Sequence, residues 1–310
     1  MDESQFKNLA KDSPIPAAPV MPNMLDGGHV IQFRCHRGVK CWNVCCSNID
    51  ITLTPYDILR LKNRLGMSSG EFLQKYTVPY EMDKDGMPGV KLRAVDGGTA
   101  CQFMVPEGCS VYEDRPTACR YYPVALLSLR RQDEYVDRQA YALVKESTCL
   151  GHLEERKLTI DEYRQEQGVT EYDEKGRAWR QLVLKRKSAG PSIGRPTPLS
   201  NQMFFMASYD LDRFRAFVMS PSFNETYDVP VATMAEIVAD DEKLLDFAMN
   251  FLKQVLFNEK FLEEKPGAQE KRLARLKQKA EQMRAEFEAN RERLEDEKYS
   301  EAFRKLGGGD

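Results

Sequence analysis

The chain has 310 residues, 42% of them hydrophobic and 30% charged, with a net charge of −3. That is enough apolar material for a buried core, so disorder is not the default, and the near-balanced charge offers no basic face for general nucleic-acid binding. No apolar run reaches the roughly 18 residues of a membrane span, and the N-terminus lacks a basic start followed by an apolar stretch; neither membrane insertion nor secretion is expected, and the compartment expected is the cytoplasm.

In chain order, residues 1–28 are rich in Pro and polar side chains and end in Asp26-Gly27-Gly28, which predicts a flexible arm. From His29 the pattern turns strand-like, with Ile31 and Phe33 alternating with polar neighbours. Ile49, Ile51 and Leu53 share one face of a further short strand. Thr54 then caps a helix with Pro55 at its first position, Ile58, Leu61 and Leu65 facing inward, and Gly66 at its end. Ser68 or Ser69 opens a shorter helix carrying Phe72, Leu73 and Tyr76. Residues 83–98 read as turn, strand, turn, with Val90, Leu92 and Ala94 alternating. Cys101 to Tyr112 reads as a strand pair around Pro106-Glu107-Gly108. Pro116 starts a short helix bearing Cys119, and residues 135–145 suit another strand.

Residues 184–201 lack periodicity, collect Gly, Pro, Ser and basic side chains, and predict a linker. Phe204 to Val218 is densely aromatic, and residues 232–257 form an amphipathic helix or helix pair that covers one side of the cysteine-rich part. From Pro266 the chain is a charged helix. Leu273, Leu276, Ala280, Met283, Phe287, Asn290 and Leu294 follow heptad spacing, which fits either a solvated helix on the body of the protein or a dimerising coiled coil. The fold class expected is α+β: a small cysteine-rich domain of short strands and helices, then a mainly α-helical C-terminal half. Its divisions are an arm over 1–28, a cysteine-cluster metal-binding domain over 29–155, a connecting segment and linker over 156–201, a helical layer over 202–265, and a charged amphipathic helix with its tail over 266–310.

The chemistry lies in eight cysteines: Cys35, Cys41, Cys45, Cys46, Cys101, Cys109, Cys119 and Cys149. In a reducing compartment such a cluster points to metal or redox chemistry rather than to disulfides. Thiolates are soft ligands that suit zinc, cuprous copper and iron–sulfur clusters. Neighbouring side chains diverge, so Cys45 and Cys46 do not serve one mononuclear ion together: either they serve two centres, or one ligates and the other packs. Cys119 lies near a predicted helix start, where a thiolate is favoured, and Arg115 and Arg120 flank it to offset the charge of a thiolate site. His36 and His152 lie beside cysteines but are neighbours before they are donors. Tyr56, Arg115, Tyr121 and Tyr122 are candidates to surround the ligands. Buried packing thiols account for one cysteine, such as Cys149, far better than for all eight.

The order C-x5-C-x3-CC, then LTPYDILRL, then C-x7-C-x9-C set in GCSVYEDRPTACRYYP resembles the YkgJ-type cysteine-cluster proteins, bacterial proteins with a zinc- or iron-chelating domain, over about residues 30–155. The resemblance implies zinc or iron, an iron–sulfur cluster included, held by Cys35, Cys41, Cys45, Cys46, Cys101, Cys109 and Cys119, with Cys149 the eighth candidate. One branch includes the flagellin lysine N-methylase, so a metal- or iron–sulfur-dependent protein methylase is one expectation beside a metal-binding module and a thiol redox sensor. Against the methylase, the chain has no Gly-x-Gly-x-x-Gly turn and no C-x3-C-x2-C radical motif. The partners expected are a metal ion and a protein partner or substrate, with neither nucleic acid nor membrane.

Overall fold

The structure is a computed structural model that describes residues 24–82, 86–129, 138–188 and 196–305. Most of the expected arm, part of the turn at 83–98, the centre of the expected linker and the end of the tail lie outside that set. Where the arm enters the described part it is already docked. Leu25 and Tyr141 exchange both backbone hydrogen bonds at 2.8 Å, and Asp161 N–H donates to Gly27 carbonyl at 2.9 Å. The Asp161 carboxylate would meet a Cβ at Gly27 within 2.1 Å, so only glycine lets the two backbones approach.

Strand β1 (Val30–Gln32) buries Ile31 between exposed neighbours, as the alternation predicts. Helix α1 (Pro55–Leu65) starts in a capping box. Thr54 Oγ1 accepts from Asp57 N–H at 3.1 Å, and the Asp57 carboxylate accepts from Thr54 N–H at 2.8 Å. It ends at Gly66, whose φ of 63° is left-handed. Helix α2 (Ser69–Tyr76) repeats the box with Ser68 and Glu71. Strands β2 (Thr77–Glu81) and β3 (Pro88–Leu92) pair antiparallel, Thr77 opposite Leu92. The expected strand through Ile49 and Leu53 is extended backbone laid on the free edge of β3: Leu92 N–H donates to Ile51 and Leu53 N–H to Val90.

The hairpin β4 (Met104–Val105) and β5 (Gly108–Cys109) turns at Pro106-Glu107, and Gly108 has a φ of 135° that a side chain would strain. Helix α3 (Thr117–Tyr121) follows Pro116, and β6 (Val124–Leu129) pairs with β7 (Arg138–Leu143). Strand β8 (Lys157–Thr159) returns to pair with β1 and leads into α4 (Ile160–Glu166) and α5 (Val169–Ser188). Residues 157–188, expected to connect, are thus a strand and two helices, and α5 runs into the expected linker. The helical period is hidden because α5 buries Asp173 and Arg186 beside Val169, Tyr172 and Leu182. Ile31, Phe33, Tyr121, Leu158, Ile160 and Tyr163 close one core cluster. Each such side chain contributes about 1.5–3 kcal/mol by burial.

The remaining elements are α6 (Pro198–Tyr209), α7 (Leu211–Val218), α8 (Pro221–Thr226), β9 (Tyr227–Asp228), α9 (Val231–Ala239), α10 (Asp241–Phe257), β10 (Glu263–Glu264) and α11 (Ala268–Lys305). The class is therefore the α+β one expected, with small antiparallel pairs and a mostly helical C-terminal half. The chain divides into two compact units. The first holds the residues up to Phe217 with Val231–Phe261, and the second holds Val218–Pro230 with the residues from Leu262. In the first, α10 packs on α5, α6 and α9 around Phe204, Leu244 and Phe251. In the second, β9 pairs with β10, and Arg275 on α11 pairs with Glu225 on α8. On α11 the seam residues Leu273, Met283 and Phe287 are exposed.

One buried cation makes a pH prediction. Lys62 on α1 is buried and pairs with Asp241 at 2.9 Å and Asp212 at 3.4 Å. Burial opposes ionisation of both carboxylates, yet the Lys62 and Arg215 charges and a Ser69 N–H bond to Asp212 leave both below the ordinary range. A lowered folded pKa gives stability that is present above the unfolded value, about 3.9, and lost as pH falls through the folded one. Urea midpoints should therefore drop below about pH 4. Lys62→Met should be less stable at pH 7 and lose less on acidification; an unchanged acid slope in the variant contradicts the assignment.

Candidate metal centre

Folding gathers cysteines that are far apart in sequence. The segment from Val39 to Ser47 winds through successive tight turns, ending in a 3-10 turn over Val44–Cys46, with Asn43 in the left-handed region at φ 67°. Asparagine tolerates that conformation better than most residues. The segment is tied on two sides. Cys46 carbonyl accepts from Cys101 N–H at 2.8 Å, and Asn43 Nδ2 donates to Val105 carbonyl at 3.1 Å, which fixes the turn to the β4–β5 hairpin and its Cys109. On the other side Arg34 N–H donates to Gly151 carbonyl at 3.1 Å, and Leu150 N–H donates to the Cys41 sulfur at 3.2 Å, which brings Cys35 and Cys41 to Cys149. The Cys45 and Cys46 sulfurs are 3.9 Å apart.

All eight thiols are free; Cys35 and Cys45 are exposed and the other six half-buried. Backbone N–H groups face several sulfurs: Phe103 and Met104 at Cys101, Val111 at Cys109, and Gly151 at Cys149. Such donors favour the thiolate. Burial nevertheless raises most of the set. Burial and the thiols of Cys45, Cys41 and Cys149 push Cys35 up to about 11. Cys119 is raised by burial and then by Cys101 and Cys109, so the helix-start lowering expected there is overtaken. Within the vicinal pair, the hydrogen bond between the two sulfurs holds Cys45 below the ordinary thiol range and raises Cys46. Thiols that raise one another in this way ionise together when a cation joins them.

Of the two flanking arginines, Arg115 serves the thiols: it opposes the rise at both Cys35 and Cys109. Arg120 is spent elsewhere. Buried over the Tyr172 ring at 4.1 Å, its guanidinium donates to the carbonyls of Arg115, Glu113 and Gln167. Tyr122 touches the site, since its hydroxyl reaches Cys149 and bonds Glu146 at 3.0 Å. Tyr56 bonds Glu171 at 2.6 Å and Tyr121 bonds Asp173 at 2.5 Å, so both are tied to the helices instead. His36 uses both ring nitrogens, on Glu154 and on Gly38 N–H, at 3.1 Å each. His152 Nε2 meets Val144 carbonyl at 3.1 Å. Cys149 also packs against the apolar core cluster.

Sequence reasoning missed Asp57. It is fully buried, caps α1, and accepts from both the N–H and the hydroxyl of Thr117 at 2.7 Å. One carboxylate thus joins the start of α1 to the start of α3, two residues before Cys119, and its charge is felt at that thiol. Burial raises Asp57 itself, against the pull of these hydrogen bonds. Arg60 adds a second strap from α1, donating twice to Asp114 at 2.7 and 2.9 Å. The signal was the order LTPYD…DRPTAC, in which the two polar ends had no other stated work.

Among the described residues no three Cys, His, Asp or Glu side chains already converge at ligand spacing. Hydrogen bonds draw the backbones of several of the cysteines together, and all eight are exposed or half-buried. An all-thiol donor set fits zinc or iron by softness. Residues 34–150, under half of the chain but including every cysteine, match the CxxCxxCC family, described as "Putative zinc- or iron-chelating domain". Over this stretch the chain is similar to that cysteine-cluster family. The spacing here is wider than the family's name spells, with the vicinal pair kept at its end. No curated protein and no solved structure matches the chain. No helix among the described residues is long and apolar enough to cross a membrane.

Proposed function

We propose that residues 29–155 are a metal-binding module in which Cys35, Cys41, Cys45, Cys46, Cys101, Cys109, Cys119 and Cys149 hold zinc or iron, an iron–sulfur cluster included. The observation that supports this reading is that hydrogen bonds tie the turn carrying Cys41 and Cys46 to Cys101 and to the turn after Cys149, with backbone N–H groups turned toward the sulfurs of Cys41, Cys101, Cys109 and Cys149. A fully thiolate-coordinated ion leaves no open position for substrate, and its binding energy goes into the fold. Reduced thiols are needed throughout, which favours a reducing compartment such as the cytoplasm.

The test is purification without oxygen, with elemental analysis and a visible spectrum. A brown protein absorbing broadly near 400 nm assigns an iron–sulfur cluster and keeps the lysine-methylase branch open. A colourless protein with stoichiometric zinc assigns the structural module. A folded native protein that holds no zinc, iron or copper and keeps all its thiols free refutes the reading and leaves thiol redox sensing.

A further inference from the structure

We propose that α11 is a docking surface for a helix of a partner protein, one whose apolar stripe is flanked by acidic side chains. Three seam residues of α11, Leu273, Met283 and Phe287, are 56, 61 and 69% exposed, and Ala280 and Asn290 on the same face are exposed as well. Single exposed apolar residues are ordinary, but these recur at three–four spacing along one side of one helix. The helix is held from another side. Arg275, whose guanidinium pairs with Glu225 and bonds Ser222 Oγ at 3.4 Å on α8, lies at an outer heptad position, so this tie leaves the seam uncovered.

The charges beside the seam select what covers it. With Leu273 at a and Leu276 at d, the flanking positions are Arg272, Lys279, Glu286 and Arg293 on one side and Lys277, Arg284 and Arg291 on the other. All but Glu286 are basic, whereas Glu281, Glu288 and Glu295 fall in an outer row. A second copy in parallel register would set Arg272 against Lys277, Lys279 against Arg284 and Arg293 against Lys298, with Glu286 and Arg291 the single attractive pair. An antiparallel copy would face the row of Lys277, Arg284 and Arg291 with itself. Like charges across a seam oppose pairing, so self-association is disfavoured in both orientations and an acidic partner is selected. Arg284 pairs with Glu288 of its own helix at 3.3 Å, but both side chains are exposed, and a surface pair of that kind yields to a partner's carboxylate. The narrowness of the stripe favours a helix over a bilayer. A helix lying on a membrane buries a broad apolar face, and the seam here is confined to the a and d rows and includes Asn290.

The experiment titrates the native full chain with two labelled synthetic peptides of four heptads, both with Leu at a and d, one with Glu and the other with Lys at every flanking position, which keeps each peptide from pairing with itself. The Glu peptide should bind, weaken as salt is raised, and bind roughly tenfold more tightly than the Lys peptide. A chain carrying both Met283→Ser and Phe287→Ser should lose roughly tenfold in affinity for it. Both substituted side chains are exposed, so the circular dichroism of the double variant should match the parent. Parent and double variant should sediment with the same mass, and phosphatidylserine vesicles should not bind. Failure of the Glu peptide to bind, equal binding of the two peptides, or affinity that the double variant leaves unchanged overturns the proposal. So does a dimer of the parent that the double variant dissociates, which makes a second copy the occupant, or vesicle binding that the double variant abolishes, which makes it a membrane surface.

Discussion

Stripping the metal from the reduced native protein should unfold the cysteine segments and leave the helical layer folded. The segments around the thiols bury few apolar side chains, Val39, Phe103 and Val111 among them; β4 and β5 are two residues each, and none of the eight cysteines is fully buried. Closing a thiolate site contributes on the order of 10 kcal/mol of folding free energy, as much as the whole stability of a typical domain. By contrast α6 and α10 are packed through fully buried Phe204, Ala207, Leu244, Ala248 and Leu252, which no metal supports. Hydrogen exchange with and without chelator reads this directly. Protection over residues 35–53 and 99–119 should collapse, and that over 198–209 and 241–257 should persist. Equal protection of both regions in the metal-free protein contradicts the role assigned to the ions.

The second large effect is expected at Asp57, far from any direct ligation. Asp57→Ala leaves the Thr54 and Thr117 N–H groups without their acceptor at a fully buried position. Each unsatisfied buried donor costs about 1–3 kcal/mol, so a loss of about 3 kcal/mol is expected in urea unfolding. Because the carboxylate sets the start of α3, Cys119 also loses its placement, and metal affinity should fall roughly 10–100-fold. Asp57→Asn keeps the volume and one acceptor and should recover part of the stability. If Asp57→Ala binds metal as tightly as the parent while losing stability, the carboxylate serves only the helix cap.

Much of the site's neighbourhood was legible in the sequence because its signals are local. Thr54-Pro55 and Gly66 bracket α1, Ser68 opens α2, Pro116 precedes α3, and Pro106-Glu107-Gly108 turns the hairpin, as expected. The non-local parts were not. The pairing of Ile31 with Leu158 joins strands 127 positions apart, and nothing in either strand's alternation names its partner. Residues 157–188 looked like connection because α5 buries charged side chains in ion pairs, Asp173 with Arg164 and Arg180, where an apolar stripe would have announced a helix. Composition said that thiols cluster, but it could not say that Cys46 faces Cys101 and Cys41 faces Leu150. The flanking arginines show the same limit: their charge was legible, and the hydrogen bonds that draw Arg120 away from the thiols were not.

The proposed centre consists of sulfur atoms joined by a metal, and X-ray absorption at the metal edge of the anaerobically purified protein examines that bond itself. The predicted result is a first shell of about four sulfurs at about 2.3 Å. A shell dominated by nitrogen and oxygen ligands near 2.0–2.2 Å would contradict it.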